Sequence, residues 1–383
     1  VLIYMLIPKP EGEPKPATST PVAIASPAPE ASPVAGVVAA EGEKIVMLYD
    51  GGAEEWVKPA ADAFNAKNEG KVGISVTRMG SREGRDHILY DKDKVHPTLW
   101  NPGDSYWTDK LKMDSADAKI PAKSGATAGE VQPLLRTYFV LLMPVEKAKV
   151  FEAAMVKPEY SGKTWTLLHD LATKGWSAAG APADWGKLKL AQADPTKANS
   201  GMTTLVLMYQ EWAKANPGKS INDKGFLQWM IETQSAVTTF ADSTSELMRD
   251  FISEPGKADI ALVYESEAVR ALESGAKDLK IVYPSPTVAL TLPIAMVEAS
   301  WVSENQATVG KEFMEYLLSE SVQEQALQYG YRPASESLSA KVKETFGAKS
   351  AMGVVVEPVL AEDVDTKTKE GLIFNWNEWF KKR

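Results

Sequence analysis

Residues 44–50 read KIVMLYD, an unbroken apolar run of the kind that a parallel sheet buries on both faces. Gly51-Gly52 break the run, and over residues 53–67 Trp56, Val57, Ala60, Ala61 and Phe64 fall on one helical face. Gly70 fits the C-cap of that helix, and KVGISVTR at 71–78 forms a second strand that leads through Met79-Gly80-Ser81 into another helix. Strand, helix, strand and helix in this order predict right-handed crossovers on a parallel sheet, an α/β fold. The same periodicities predict strands at 138–143 (YFVLLM), 188–192, 258–264 (ADIALVY) and 279–283. Helices are expected at 166–174, 202–215, 223–234, 245–253, 265–274, 306–319, 321–329 and 366–382, with no internal repeat.

The first 43 residues break this pattern. Residues 1–7, VLIYMLI, are apolar but far shorter than the roughly 20 residues that span a bilayer, and are expected to be the remnant of a membrane anchor or signal segment. Residues 8–43 are rich in Pro, Ala, Ser and Glu and poor in large apolar side chains, which predicts a disordered, extended linker. Apolar run followed by linker suggests a globular domain tethered to the outer face of the cytoplasmic membrane by an uncleaved signal anchor, with an ordinary disordered leader as the alternative.

Composition narrows the chemistry. The chain has 383 residues, 42 basic and 51 acidic, a net charge of −9 and no basic block, so the footprint of a nucleic-acid binder is missing. It has no cysteine, which excludes thiolate nucleophiles, disulfides, iron-sulfur clusters and Cys-type zinc sites. His87, His96 and His169 show no metal-ligand spacing and read as surface or packing residues. There is no GxxxxGK[ST] loop and no GxSxG elbow, and Glu54-Glu55 read as solvated helix surface. No enzyme, metal or cofactor is expected.

Four junctions place small or hydroxyl residues where a helix should begin: Gly51-Gly52, Gly80-Ser81, residues 101–105 (NPGDS) and Asn199-Ser200-Gly201. Helix N-termini carry unpaired N–H groups and a partial positive charge, so several converging on one cleft suit an anion or a carbonyl-rich ligand. Ser, Asn and Asp are also simply good N-caps.

The ordered set of motifs resembles the type II periplasmic solute-binding proteins of ABC-type transporters, close to their molybdate-binding branch. The stretch from KIVMLYDGG to RMGSREG is similar to the family's opening, and HPTLWNPGDSYW (96–107) stands at its next cleft-lining turn. RTYFVLLMP resembles the crossing into a second lobe, and TWTLLHDLA (164–172) the short helix after it. ADPTKANSGMTTLVLM (193–208) is similar to the turn that starts a second-lobe helix, ADIALVYESEAV (258–269) to a strand ending in a ligand-facing Tyr, and YGYRPA (329–334) to the closing segment.

The resemblance implies two Rossmann-like lobes joined by two crossover strands, with ligand bound between lobes that close on a hinge. Lobe 1 is then expected at 44–135 and, returning with C-terminal helices, at 285–383; lobe 2 at 136–284; the crossings near 135–139 and 283–291. The family roles fall on Gly52, Ser81, Asn101, Ser200 and Tyr264, with Asp50 and Gly51 beside the first. The molybdate-binding branch has a Ser after its first strand where this chain has Gly51-Gly52. Arg82, Glu83 and Glu265 add charges that either wall the cleft, which suits a ligand of opposite charges, or face solvent. Trp100 is a candidate for stacking on an organic ligand.

These implications amount to an extracytoplasmic, monomeric protein that captures a small polar or anionic solute and delivers it to an ABC transporter permease, without nucleic acid or cofactor. A ligand-sensing or adaptor module of the same fold is the second reading, and a cleft kept only as a scaffold is the third. The tail after Ala340, with Phe374, Trp376, Trp379 and Phe380, is expected to wrap lobe 1 or to dock a partner.

Overall fold

The computed structural model describes residues 43–49, 53–69 and 71–382. The apolar run at 1–7, the expected linker up to residue 42, Asp50, Gly51, Gly52 and the expected cap Gly70 lie outside the described residues, while Glu43 already belongs to the first strand.

Lobe 1 opens with β1 (Glu43–Tyr49), α1 (Glu54–Lys67), β2 (Val72–Arg78), α2 (Ser81–Tyr90), β3 (Leu99–Asn101) and α3 (Ser105–Ala116). The long β4 (Thr127–Pro144) carries the chain into lobe 2. There follow α4 (Val145–Met155), α5 (Thr164–Lys174), β5 (Leu190–Ala193), α6 (Asn199–Ala215) and α7 (Lys224–Gln234). Next come β6 (Val237–Ala241), α8 (Thr244–Ser253), β7 (Ile260–Tyr264), α9 (Glu265–Glu273) and β8 (Leu279–Val282). The chain returns through β9 (Ala289–Glu298) to α10 (Glu304–Leu318), α11 (Glu320–Gln325) and β10 (Arg332–Pro333), and ends with α12 (Ser339–Gly347) and α13 (Thr366–Phe380).

The strand order is β2-β1-β3-β9-β4-β7-β5-β6, with β10 and β8 also on β4. Through Tyr138, β4 pairs with β9; from Phe139 onward it pairs with β7, and from Leu141 also with β8. One strand thus belongs to two sheets, and it changes partners between Tyr138 and Phe139.

Alternation along each strand fills a layer on either side. In β1, Ile45, Met47 and Tyr49 join Trp56, Phe64 and Phe313, whereas Leu48 turns to Ile88, Trp100 and Leu111. In β4, Phe139, Leu141 and Met143 face Phe151, Trp165 and Phe226, while Val140 and Leu142 face Leu247, Ala261 and Val269. Both lobes are therefore doubly wound α/β units, the fold class expected from the periodicity.

The tail meets lobe 1 as expected, with Ile373 against the layer of Leu48 and Trp100 and Glu370 paired to Lys110, but its largest side chains go elsewhere. Phe346 and Val354 enter the lobe 2 layer of Val140 and Ala261, and Leu372 and Trp376 enter the layer of Phe139 and Trp165. Trp376 Nε1 donates to Gln234 Oε1 at 3.0 Å, and its ring meets that of Phe240 edge-on at 5.2 Å. The chain therefore crosses to lobe 2 a second time, because α6, α7 and β6 present it with an aromatic surface. Helical periodicity shows that α13 has an apolar face but not which lobe covers it.

Candidate functional site

Strand direction locates the site. β1, β2 and β3 run parallel, as do β5, β6 and β7. Tyr264 at the end of β7 lies opposite Phe139, where β4 changes sheets, and Asn101 at the end of β3 points toward the same boundary from lobe 1. Helices follow directly from these ends, so the first turns of α2, α3, α6 and α9 project between the lobes, where open α/β sheets bind ligands.

On the lobe 1 wall, Ser81 opens α2 and is buried, and its Oγ accepts the N–H of Gly103 at 2.9 Å. That bond ties the second helix to the turn entering the third. Asn101 is fully buried; its Nδ2 donates to the Pro293 carbonyl at 2.6 Å, and its Oδ1 has no partner. Asp104 caps α3 by accepting the Tyr106 N–H at 2.9 Å. Burial pushes its carboxyl up to about 6 from 3.8, with Lys369 opposing the rise. Burial and the neighbouring Glu54 push the Tyr49 phenol up to about 12.

On the lobe 2 wall, Ser200 is fully buried in the first turn of α6, its hydroxyl 2.8 Å from that of Thr244. Beside it, both ends of the buried Asn199 amide lack a partner. A Cβ on Gly201 would stand 2.3 Å from the Ala193 carbonyl, so only glycine lets α6 start this close to β5. Tyr264 is buried, and two residues on the Ser266 N–H donates to Thr137 Oγ1 at 3.1 Å.

The charged candidates are placed differently. Both Glu265 oxygens accept from Arg332, Nε to Oε2 at 2.8 Å and Nη2 to Oε1 at 2.6 Å, and the Tyr283 hydroxyl also donates to Oε1. The carboxylate is fully buried, neither facing solvent nor offering a free oxygen. Glu83 and Arg82 are exposed, and Arg82 Nη1 reaches across the boundary to the Thr196 carbonyl at 2.8 Å. Trp100 is not at the surface of the cleft: it is 1% exposed, and its indole packs so closely under α2 that a Cβ on Gly84 would stand 2.9 Å from Nε1. The structure thus puts Ser81 at the start of α2 and Asn101 at the end of β3 in lobe 1, and Ser200 in the first turn of α6 and Tyr264 at the end of β7 in lobe 2. It adds Asn199, Thr137, Thr244 and Ser266. The NSG junction signalled Asn199, but a Thr within an apolar strand carries no sequence signal of its own.

The lobes touch. Met202 of α6 packs among Leu48, Trp100 and Trp107 of lobe 1, and Arg270 Nε of α9 lies 3.4 Å from Glu55 of α1. A groove of about 750 Å³ opens at the rim between α1, α8 and α9, lined by Glu54, Lys58, Arg78, Glu267 and Arg270 among others. Among the described residues, no group of three or more His, Asp or Glu side chains is placed to hold a metal ion.

Two doubly wound lobes joined by crossover strands, with helix N-termini converging between them, define a two-lobed solute-binding protein. The chain belongs to the family of bacterial extracellular solute-binding proteins, whose model matches residues 45–332. None of the curated proteins compared with it matches. Among solved structures it is similar to the sulfate-binding protein SubI from Mycobacterium tuberculosis H37Rv, with 16% identity, a TM-score of 0.56, and 89% of this chain and 99% of that one covered. It is also similar to the substrate binding protein of an ABC transporter from Agrobacterium tumefaciens, with 17% identity, a TM-score of 0.57, and coverage of 88% and 94%. A third is the periplasmic binding protein AfuA from Actinobacillus pleuropneumoniae with fructose-6-phosphate bound, with 15% identity, a TM-score of 0.56, and coverage of 88% and 98%. At these identities the likeness shows the fold, while the family match carries the function: capture of a solute outside the cytoplasm.

Proposed function

We propose that this protein captures a small oxyanion in the interlobe cleft and delivers it to the permease of an ABC-type transporter. The observation that carries this reading is the division of charge at the boundary. Ser81, Asn101, Asn199 and Ser200 supply neutral polar groups there, the buried Asp104 carboxyl is engaged in capping α3, and the nearby carboxylate of Glu265 is held by Arg332. A free carboxylate there would repel an anion, whereas hydroxyls, amides and helix N-termini attract it. Ser81, Asn101, Ser200 and Tyr264 are the first-choice ligand contacts, together with Asp50, Gly51 and Gly52.

The family match favours transport over the sensory or adaptor reading. No helix among the described residues is long and apolar enough to cross a membrane. In this reading residues 1–7 are the remnant of a membrane anchor or signal segment and residues 8–43 a linker, with the domain acting as a monomer outside the membrane and without catalysis. Thermal unfolding of the full chain against phosphate, sulfate, molybdate, amino acids and sugars tests the ligand class. An anion held at about 100 times its dissociation constant should add about 2.7 kcal/mol, a rise of several degrees in Tm. A rise with sugars or amino acids alone would overturn the oxyanion reading.

A further inference from the structure

We propose that the captured solute donates a hydrogen bond to Oδ1 of Asn101. The cleft then selects oxyanions that carry a proton, of the hydrogen-phosphate type, over fully deprotonated tetrahedral dianions such as sulfate and molybdate. The inference rests on the oxyanion reading of the cleft and deepens it.

The orientation of the Asn101 amide is fixed by its neighbour. The Pro293 carbonyl can only accept, so the amide nitrogen 2.6 Å away must face it, and the oxygen is turned the other way. That oxygen is fully buried and has no donor. Buried acceptors without partners are rare in native proteins because each forfeits the hydrogen bonds it made in water. The Asn199 amide, on the opposite wall, is 3% exposed and lacks a partner at both its oxygen and its nitrogen. Asn101 ends β3 in lobe 1 and Asn199 opens α6 in lobe 2, and a ligand between them that supplied the missing half of each bond would complete both amides.

The ligand must therefore both donate and accept. Asn199 Nδ2 and the helix N-termini at Ser81 and Ser200 serve its negative oxygens, and Asn101 Oδ1 accepts the hydrogen bond from its hydroxyl. Hydrogen phosphate and arsenate carry that proton at neutral pH. Sulfate and molybdate carry none and would set oxygen against oxygen at Asn101. A site built around a buried hydrogen-bonding group rejects an analogue lacking the matching group more strongly than it rejects a change of size.

Calorimetric titration of the full chain at pH 7 with phosphate, arsenate, sulfate and molybdate tests this. The expected result is that phosphate and arsenate bind at least about tenfold tighter than sulfate and molybdate. Sulfate or molybdate binding as tightly as phosphate overturns the inference and leaves the oxyanion reading standing. Binding of none of the four overturns both. Asn101→Ala, provided it unfolds cooperatively, should shrink the ratio of phosphate to sulfate affinity; an unchanged ratio removes Asn101 from the role. If that variant does not fold, the ratio in the unmodified protein decides.

Discussion

Glu265 on α9 and Glu55 on α1 each face an arginine near the lobe boundary, in opposite surroundings. Glu265 is fully buried, bonded through both oxygens to an Arg332 that lies over the rings of Tyr138 and Phe346. Glu55 is 62% exposed and meets Arg270 at 3.4 Å across the mouth of the cleft. The inner pair has no water to fall back on, so it serves to fix the closing segment of the chain onto lobe 2 and to keep a carboxylate away from the ligand. The rim pair exchanges readily with solvent and can part when the lobes separate. These two charged pairs are thus locked in the framework or left at the rim, and between them Ser81, Asn101, Asn199 and Ser200 are neutral, while the buried carboxyl of Asp104 caps α3.

Breaking the inner pair should have the largest effect. Glu265→Ala leaves the Arg332 guanidinium buried without its partner, which typically costs about 3–5 kcal/mol. Urea denaturation at pH 7 measures it. A loss below about 1 kcal/mol would mean that the pair is far better solvated than its burial indicates, and the contrast with the rim would collapse.

Asp104 sharpens the comparison, since it is a buried carboxylate beside the same cleft with no arginine of its own. Its carboxyl is raised to about 6 from 3.8 by burial, so the folded state holds the proton more tightly than the unfolded state does. The stabilisation is complete below about pH 4 and is lost as pH rises through 6, a span of up to about 3 kcal/mol. Asp104→Asn keeps an acceptor for the Tyr106 N–H and removes the titration. Relative to the unmodified protein, its stability should therefore improve steadily from pH 4 to pH 7 and level off above. Parallel profiles for the two proteins would show that Asp104 ionises freely.

Among the neutral residues, Ser200→Ala removes a hydroxyl paired to Thr244 and one candidate donor to the ligand. The stability loss should be about 1 kcal/mol, and affinity for the bound anion should fall about tenfold. A stability loss with affinity unchanged would remove Ser200 from the ligand contacts.

How far the sequence discloses this arrangement depends on the range of the interaction involved. The apolar run of β1 and the helical face of Trp56, Val57 and Phe64 are local patterns, and both are found in the structure. β3, by contrast, is only three residues long and is held by its neighbours, so its Leu-Trp-Asn reads as part of a loop until β1 and β9 flank it. The candidate site divides in the same way. Ser81 and Ser200 are visible because they open helices. The fate of Glu265 depends on Arg332, 67 positions away, and the burial of Trp100 depends on the missing side chain of Gly84. Neither partnership leaves a trace in local spacing, and so a charged wall and an aromatic platform remained open readings until the fold brought the partners together.

The smallest effect is expected at the rim. Glu55→Gln should change global stability by less than about 0.5 kcal/mol, because an ion pair this exposed gains little over its hydration. Its consequence lies in the spacing of the lobes: without the carboxylate, Arg270 keeps its bond to the Tyr329 carbonyl but loses its hold on α1. Energy transfer between dyes on α1 and α8 of the ligand-free protein should report a shift toward open molecules in the variant at low salt. In 1 M salt, where the screening length is about 3 Å, the unmodified protein should move the same way and the two should converge. Equal lobe spacing in both proteins at low salt would show that closure is carried by apolar contacts such as Met202 alone, and that the rim charges play no part in holding the cleft shut.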